Sequence, residues 1–199
     1  NMLAREIGPQ LGFWKPVVVS HHMLMGLAKP INPEQAKRDE GLMGLQQSKN
    51  QIGNSKDEEE KHEAKIKRVI NLKMSKSKPD TAIFMTDTRE DIERKIKKAW
   101  CPEGEVKENP VLEYCKYILF EKFPEMRIDR AVQHGGAITV KSFVELEKLF
   151  AEKKIHPKDL KVAVIELLDQ LLEPVRRHFL EDAAAKKLLA EVQGFEVTR

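Results

Sequence analysis

Residues 69–87 read VINLKMSKSKPDTAIFMTD and separate two parts of the chain that differ in sequence pattern. This stretch begins apolar, continues with KMSKS at residues 73–77, and is closed by Lys78, Pro79 and Asp80. Residues 73–78 therefore place three lysines within six positions, interleaved with two serines and one methionine. By composition, the string is either an ordinary solvated loop or a segment that holds a strongly anionic ligand.

The bulk composition indicates a globular protein and restricts its function only weakly. The chain has 199 residues, 41% hydrophobic and 34% charged, which is enough for a sizeable core. A formal net charge of +3 permits nucleic-acid contact without demonstrating it. No apolar run approaches the length of a membrane span, so we expect no membrane association.

The two cysteines, Cys101 and Cys115, form no CxxC pair and lack metal-ligand spacing with histidine. We therefore expect two reduced, buried thiols in a cytoplasmic protein, without a protein-bound metal.

The N-terminal part has the pattern of an α/β sheet domain. Leu3, Ile7 and Leu11 recur at helical spacing and Gly12 ends the run, which predicts a helix that is already under way at the first residue. Residues 17–19, three valines in a row, predict a buried parallel strand. A helix followed by such a strand is half of a βαβ unit, and we expect the chain to be a fragment without an N-terminal part.

Residues 28–72 are polar and predict an inserted segment. An acidic run followed by a basic run suits the dipole of a helix over about residues 57–71. We expect a solvated excursion without chemistry of its own.

From residue 86 onward the patterns are mostly helical. Asp87 with Glu90 predicts a capped helix whose inner face carries Ile92, Ile96 and Ala99. Further helices are predicted in NPVLEYCKYILFEKF, SFVELEKLF, HPKDLKVAVIELLDQLLEPVRRHF and EDAAAKKLLAEV, the third with an apolar stripe at Leu160, Val164, Leu167, Leu168, Leu171 and Val175. The stretch MRIDRAVQHGGAITVKS predicts two short strands of a hairpin, separated by Gly135 and Gly136. The predicted fold class is α/β followed by mostly α.

ATP chemistry gives a reason for lysines on a mobile loop. Release of pyrophosphate builds negative charge on the β- and γ-phosphates in the transition state, where ammonium groups and hydroxyls stabilise it. A loop can close for the reaction and open for product release, while Met74 anchors it to apolar surface. Because short lysine-rich loops are common, composition alone favours the solvated loop.

The order of the letters and of the domains adds a second argument. KMSKS resembles the second ATP-binding motif of class I aminoacyl-tRNA synthetases, which lies between a Rossmann-type catalytic domain and a helical tRNA-binding domain. Other stretches resemble the archaeal and eukaryotic type of tyrosyl-tRNA synthetase: NMLAREIGPQLGF, KMSKSKPDTAIFMTDTREDIERKIKKAWCPEGEVKENPVLEYCKYILF, GGAITVKSFVELEKLF and IHPKDLKVAVIELLDQLLEPVRRHF. The resemblance covers nearly the whole chain apart from the insertion.

The resemblance implies a division of the chain and an activity. Residues 1–85 would be the C-terminal part of the Rossmann-type domain, and residues 86–199 a helical anticodon-binding domain with a small β-hairpin. The implied reaction activates tyrosine with ATP, with Mg²⁺ expected beside ATP, and transfers the tyrosyl group to tRNA(Tyr). The family also implies a homodimer.

The resemblance also implies which residues meet ATP. Lys73 and Lys76 would hold the phosphates, with Ser75 and Ser77 assisting and Met74 contributing to ATP binding. Many relatives have serine where this chain has Lys76.

The segment SHHMLMGL looks like the region near the adenine, where Met23 and Leu24 are the expected contacts. The family pattern there usually includes Asn-Pro, whereas this chain has His21 and His22. For these two histidines, an ordinary place at a strand end and a role at ATP remain equally open.

In the helical part, the resemblance implies that His156 and Asp159 read the first anticodon base, expected to be guanine. A carboxylate can accept hydrogen bonds from the N1 and N2 edge of that base, although Asp159 could instead cap the long helix. His134 stands where relatives carry Phe or Trp to stack on the same base. Solvated cations nearby could touch phosphates: Arg127, Arg130, Lys141 and Lys158.

Two alternatives remain open. The family's other ATP motif and its tyrosine-binding residues are not in this sequence, so we expect this chain to be inactive by itself. A tryptophanyl relative shares the architecture, but HPKDL and the helical part argue against it. A non-catalytic tRNA-binding module derived from a synthetase is the other alternative, and the intact lysine string argues against that one.

Overall fold

A computed structural model describes residues 2–19, 21–30, 73–74 and 78–195. In these ranges the chain is mostly helical with one two-stranded antiparallel sheet, as predicted for its second part. The predicted insertion lies outside the described residues except for residues 28–30, and the predicted helix over residues 57–71 lies outside them entirely.

The first helix, α1, spans Met2–Gln10 and confirms the helical spacing of its apolar residues. Gly12 follows with φ of +78°, a conformation that glycine adopts without strain and that ends the helix. The apolar side chains of this region are exposed, Leu3 and Leu11 both at 66% and Trp14 at 95%. They pack against no core in the part of the chain that the structure describes.

The predicted strand at residues 17–19 is wrong. The segment has no regular secondary structure, and Val17 and Val19 are 88% and 86% exposed. A buried parallel strand needs hydrogen-bonded neighbours and a covered face on each side. Among the described residues the only sheet is the antiparallel pair of the hairpin, so these valines have no strand to join.

Helix α2 spans Arg89–Lys98, and its cap lies one residue later than predicted. Thr88 is the N-cap: its hydroxyl accepts from the Asp91 N–H at 3.2 Å, and Asp91 accepts in return from the Thr88 N–H at 3.4 Å. Ile92 and Ile96 are fully buried, so the predicted inner face is confirmed. Asp87, the predicted cap, is buried and has another role.

The next helical stretch begins at Asn109, whose side-chain oxygen accepts from the N–H groups of Val111 and Leu112. Helix α3 spans Pro110–Tyr114 with proline in its first turn, as predicted. A π-helical turn follows at Cys115–Leu119, and α4 completes the stretch at Phe120–Lys122. Such π turns are rare and insert one extra residue into a helical path.

The predicted hairpin is confirmed. Strand β1 (Met126–Ile128) pairs antiparallel with β2 (Ile138–Val140), with Arg127 opposite Thr139. The connection contains a short 3₁₀ turn at Val132–His134, after which Gly135 and Gly136 both adopt positive φ.

Three more helices follow in the described part of the chain: α5 at Phe143–Ala151, α6 at Pro157–Glu181 and α7 at Ala183–Gln193. Their N-caps are Ser142, His156 and Asp182. The predicted stripe of α6 is confirmed where it is densest, with Leu160, Val164 and Leu168 buried and Leu167, Leu171 and Val175 half-buried.

One hydrophobic core joins α2, α3, the hairpin, α5 and α6. Its largest fully buried side chain is Phe150, and it also takes in Leu27, which is 2% exposed. Residues on both sides of the lysine string therefore contact the same helical core, because Ala82 is also buried and Ile83 packs against the cluster.

A buried ion pair lies where the chain enters α2. The Lys95 ammonium donates to Asp87 Oδ2 at 2.6 Å, and these residues are 2% and 8% exposed. The same carboxylate oxygen accepts from the Phe84 N–H at 2.9 Å, and the ammonium lies 4.5 Å from the centre of the Phe84 ring. The hydrogen bonds and the ring compensate for taking two charges out of water.

Both thiols are free, and burial raises the pKa of each of them. Cys115 is buried as predicted, whereas Cys101 is half-buried. Among the described residues, no helix has the length and apolar character to cross a bilayer.

We expect Asp87→Ala to lower the free energy of unfolding by about 3–5 kcal/mol, because it leaves a buried ammonium without its carboxylate. Urea unfolding measures the change. The matched control is Asp80→Ala, which removes an exposed carboxylate and should have a much smaller effect. Equal losses in the two variants would contradict the importance of the buried pair.

Candidate functional site

The lysine string, residues 73–77, enters the described structure with its first two members. Lys73 is exposed, and no ion pair joins it to another residue that the structure describes. Met74 is half-buried, with its sulfur 3.5 Å from the Tyr114 hydroxyl. The contact is with a hydroxyl, and the predicted anchoring of Met74 to apolar surface stays a prediction. Ser75, Lys76 and Ser77 lie outside the described residues.

Both flanks of the lysine string pair with one short segment. Lys73 forms an isolated antiparallel bridge with Met25. After the string, a 3₁₀ turn at Pro79–Thr81 follows, and the Leu27 N–H donates to the Thr81 carbonyl at 3.0 Å. Residues 25–27 therefore lie between the two ends of the string and fix their separation.

The predicted adenine contacts precede this segment directly. Met23 is 44% exposed and Leu24 is half-buried. Since Met25 pairs with Lys73, the structure brings Met23 and Leu24 next to the start of the lysine string.

Ion pairs join the segment that follows the lysine string to α2. Asp80 accepts from Arg94 and, at 3.3 Å, from Lys98, both on α2. These two cations, Arg94 first, lower the pKa of the Asp80 carboxyl. Asp80 is thus engaged by α2.

Glu113 on α3 contacts Met25 and His22, and the sequence analysis did not predict these contacts. Its Oε2 accepts from the Met25 N–H at 2.9 Å, and its Oε1 lies 3.3 Å from His22 Nε2. The His22 ring stacks on Tyr117, with ring centres 3.9 Å apart and planes inclined by 14°. His22, a departure from the family pattern, has its partners in the helical part of the chain.

A second group of predicted residues gathers at the start of α6. His156 is the N-cap, and its Nδ1 accepts from the Lys158 N–H at 3.2 Å. This hydrogen bond assigns the ring proton of the neutral form to Nε2, which faces outward as a donor. Asp159 lies in the first turn, half-buried, and its carboxylate accepts no hydrogen bond from the described part of the chain. Capping is therefore performed by His156, and Asp159 is not needed for it.

His134 lies at the end of the 3₁₀ turn in the hairpin connection and is exposed. Its position is set by Arg130, whose Nε donates to the Gly136 carbonyl at 2.9 Å and whose Nη1 donates to the Lys154 carbonyl at 2.7 Å. The guanidinium thus ties the loop of His134 to the turn that precedes His156. Its packing also leaves little room at Gly135, where an added Cβ would lie 3.3 Å from Nη2.

Arg130 was considered as a candidate phosphate contact. In the structure it links two segments, because two of its donors bind backbone carbonyls. Arg127, Lys141 and Lys158 are exposed, as expected for solvated cations. Neither the Glu113 contact nor the Arg130 contact has a local sequence signal, since their partners lie 88 and 24 residues away.

Comparison with known proteins gives a consistent family. A family model described as tRNA synthetases class I (W and Y) matches residues 56–173, more than half of the chain. A curated tyrosine–tRNA ligase from Thermococcus sibiricus is 39% identical over 203 residues, covering 97% of this chain and 48% of the relative. One from Saccharolobus islandicus is 38% identical over 199 residues, covering 100% of this chain and 48% of the relative. The chain thus spans about half the length of these curated relatives.

Solved structures give the same picture. The tyrosyl-tRNA synthetase of Pyrococcus horikoshii complexed with L-tyrosine matches with a TM-score of 0.68 at 34% identity, covering 96% of this chain and 47% of that one. The tyrosyl-tRNA synthetase of Aeropyrum pernix matches with a TM-score of 0.66 at 33% identity, covering 98% of this chain and 44% of that one.

We expect Arg130→Ala to accelerate hydrogen exchange at the amides of His134, Gly135 and Gly136 by about tenfold or more. The reason is the loss of two hydrogen bonds from a charged donor, each worth about 1.5–3 kcal/mol. Hydrogen exchange read by mass spectrometry measures the change. The control is Arg127→Ala, whose ion pair with Asp129 is exposed. Unchanged exchange in the Arg130 variant would contradict the link.

Proposed function

We propose that this protein, whose chain belongs to the class I tRNA synthetases (W and Y), is a tyrosine–tRNA ligase. The observation that carries the proposal is the similarity of the chain to archaeal tyrosine–tRNA ligases, at 38–39% identity over 97–100% of its length. A tryptophanyl enzyme would fit the family description equally, but the curated relatives described above are tyrosine enzymes.

In the proposed reaction, the carboxylate of tyrosine attacks the α-phosphate of ATP, tyrosyl-adenylate forms and pyrophosphate leaves. ATP enters as its Mg²⁺ complex, and the metal is part of the substrate. Lys73 and Lys76 neutralise charge on the β- and γ-phosphates as the bond to the α-phosphate breaks, and Ser75 and Ser77 donate hydrogen bonds. The exposed position of Lys73 supports this role. Met23 and Leu24 would contact the adenine beside Met74.

The second step transfers the tyrosyl group to tRNA(Tyr), whose anticodon would meet the start of α6. The Watson–Crick edge of guanine offers donors at N1 and N2 and an acceptor at O6. Asp159 supplies an acceptor whose capacity is unused in the described structure, and His156 supplies a donor at Nε2. His134 would stack on the same base once it is splayed out of the loop.

The proposal extends to the organisation of the protein. Residues 1–85 belong to the Rossmann-type catalytic domain, with the KMSKS string at its end, and residues 86–199 to the anticodon-binding domain. The complete protein acts as a homodimer in the cytoplasm. A non-catalytic tRNA-binding module is the alternative, and the intact lysine string argues against it, because such a module has no chemical need for the string.

The complete gene product should catalyse tyrosine-dependent exchange of pyrophosphate into ATP. We expect Lys76→Ala to slow this exchange by about a hundredfold or more, since it removes a charge aimed at the transition state. Lys122→Ala, an exposed lysine on α4, is the control and should leave the rate unchanged. Exchange that depends on tryptophan would favour the alternative enzyme, and a normal rate in Lys76→Ala would remove the role of the string.

Asp159→Ala should lower kcat/KM for charging tRNA(Tyr) by roughly 5- to 150-fold, since a bidentate contact to a base is worth about 1–3 kcal/mol. Adenylate formation should stay unchanged, because it does not involve the anticodon. The control is a tRNA in which another base replaces the first anticodon guanine: the variant should discriminate less between the two tRNAs than the wild type does. Equal damage to both steps would indicate a folding defect instead.

A further inference from the structure

The lysine string is held at its start by groups from the helical part of the chain. Lys73 pairs with Met25, and the Met25 N–H donates to Glu113 on α3. The next residue on the same helix, Tyr114, places its hydroxyl 3.5 Å from the sulfur of Met74. Two successive residues of one helix therefore contact Met25, the bridge partner of Lys73, and Met74, the residue that follows Lys73.

The Glu113 carboxylate is well suited to fix this bridge. Its side chain is 20% exposed, and its two oxygens face different partners, the Met25 N–H and the His22 ring. A hydrogen bond to a carboxylate is shorter and stronger than one between neutral groups. The flat contact between His22 and Tyr117 orients the imidazole toward the second oxygen.

Tyr114 completes the arrangement from inside the core. It is 3% exposed, and burial raises the pKa of its hydroxyl to about 12, so the group stays a neutral donor. A methionine sulfur is a weak acceptor, and the contact fixes the place of Met74 more than it contributes energy.

We propose that Glu113 is a positioning residue for ATP chemistry: through the Met25 N–H it sets the place of Lys73 and Met74 relative to the helical part of the chain. His22 assists by holding the second carboxylate oxygen. This inference rests on the proposed function. It concerns a residue that touches no substrate and acts through the backbone of Met25.

The test compares Glu113→Ala with Glu113→Gln in the complete gene product. Glu113→Ala removes both contacts, and we expect kcat of tyrosine-dependent pyrophosphate exchange to fall about tenfold or more at saturating ATP, since small misplacements of catalytic groups have effects of this size. Glu113→Gln keeps an oxygen for the Met25 N–H and should stay within about threefold of the wild type. The matched control is Glu121→Ala, which removes an exposed carboxylate on α4 and should leave kcat unchanged.

A merely structural role would lower the urea midpoint and the affinity for tRNA(Tyr) together with kcat. We expect both of these to stay near the wild-type values in Glu113→Ala. A parallel loss of all three, a kcat within twofold of the wild type in Glu113→Ala, or an equal loss in Glu113→Gln would each overturn the inference.

Hydrogen exchange separates this inference from the proposed function. In Glu113→Ala, the amides of Met25, Leu27 and Lys73 should exchange about tenfold faster, whether or not the protein activates tyrosine. If the wild-type protein exchanges pyrophosphate with no amino acid, the proposed function fails, and the exchange of these amides still decides whether Glu113 holds the start of the string. Unchanged amide exchange would refute the positioning role.

Discussion

The backbone of Leu27 joins the lysine string to the helical part of the chain. Its N–H donates to the Thr81 carbonyl after the string, its carbonyl accepts from the Trp100 N–H at 2.8 Å after α2, and its side chain is buried in the core. A buried backbone group must find a partner, and here both partners come from segments far away in sequence. Leu27 therefore ties the segment that follows the string to the end of α2 and to the helical core.

Charged groups reinforce the same junction. Arg176 on α6 donates to the backbone carbonyl of Asp87 at 3.1 Å, and Lys161 on α6 donates to the carbonyls of Lys97 and Ala99 at the end of α2. Helix α6 therefore reaches both ends of α2, while its own first turn carries His156 and Asp159. The proposed anticodon contacts and the segment that follows the lysine string are therefore attached to two helices that are bonded to each other.

The sequence predicted the elements whose signals are local. Proline at the start of α3, serine before α5 and glycine after α1 act within a few residues, and the structure has these ends where they were expected. The cap of α2 was displaced by one residue because Asp87 is taken by Lys95. The strand at residues 17–19 failed because a parallel strand depends on neighbours that the pattern of one segment does not specify. Of the candidate site, the sequence considered Asp159 as the cap of α6 and the structure has His156 in that role, whereas Glu113 and Arg130 act across long separations in sequence.

The π-helical turn at Cys115–Leu119 fixes the relation between two faces of one helical stretch. Before it, Glu113 and Tyr114 point toward the lysine string, and at its end Leu119 is buried in the core. Each residue of an α-helix advances the path by about 100°. The extra residue is accommodated within the π turn, so its deletion would convert the turn to α-helix and leave the faces on both sides in phase. A one-residue deletion in the α-helical turns beside it would instead rotate everything after it by that angle. The length of this stretch can therefore change at the π turn at a lower structural cost than anywhere else along it.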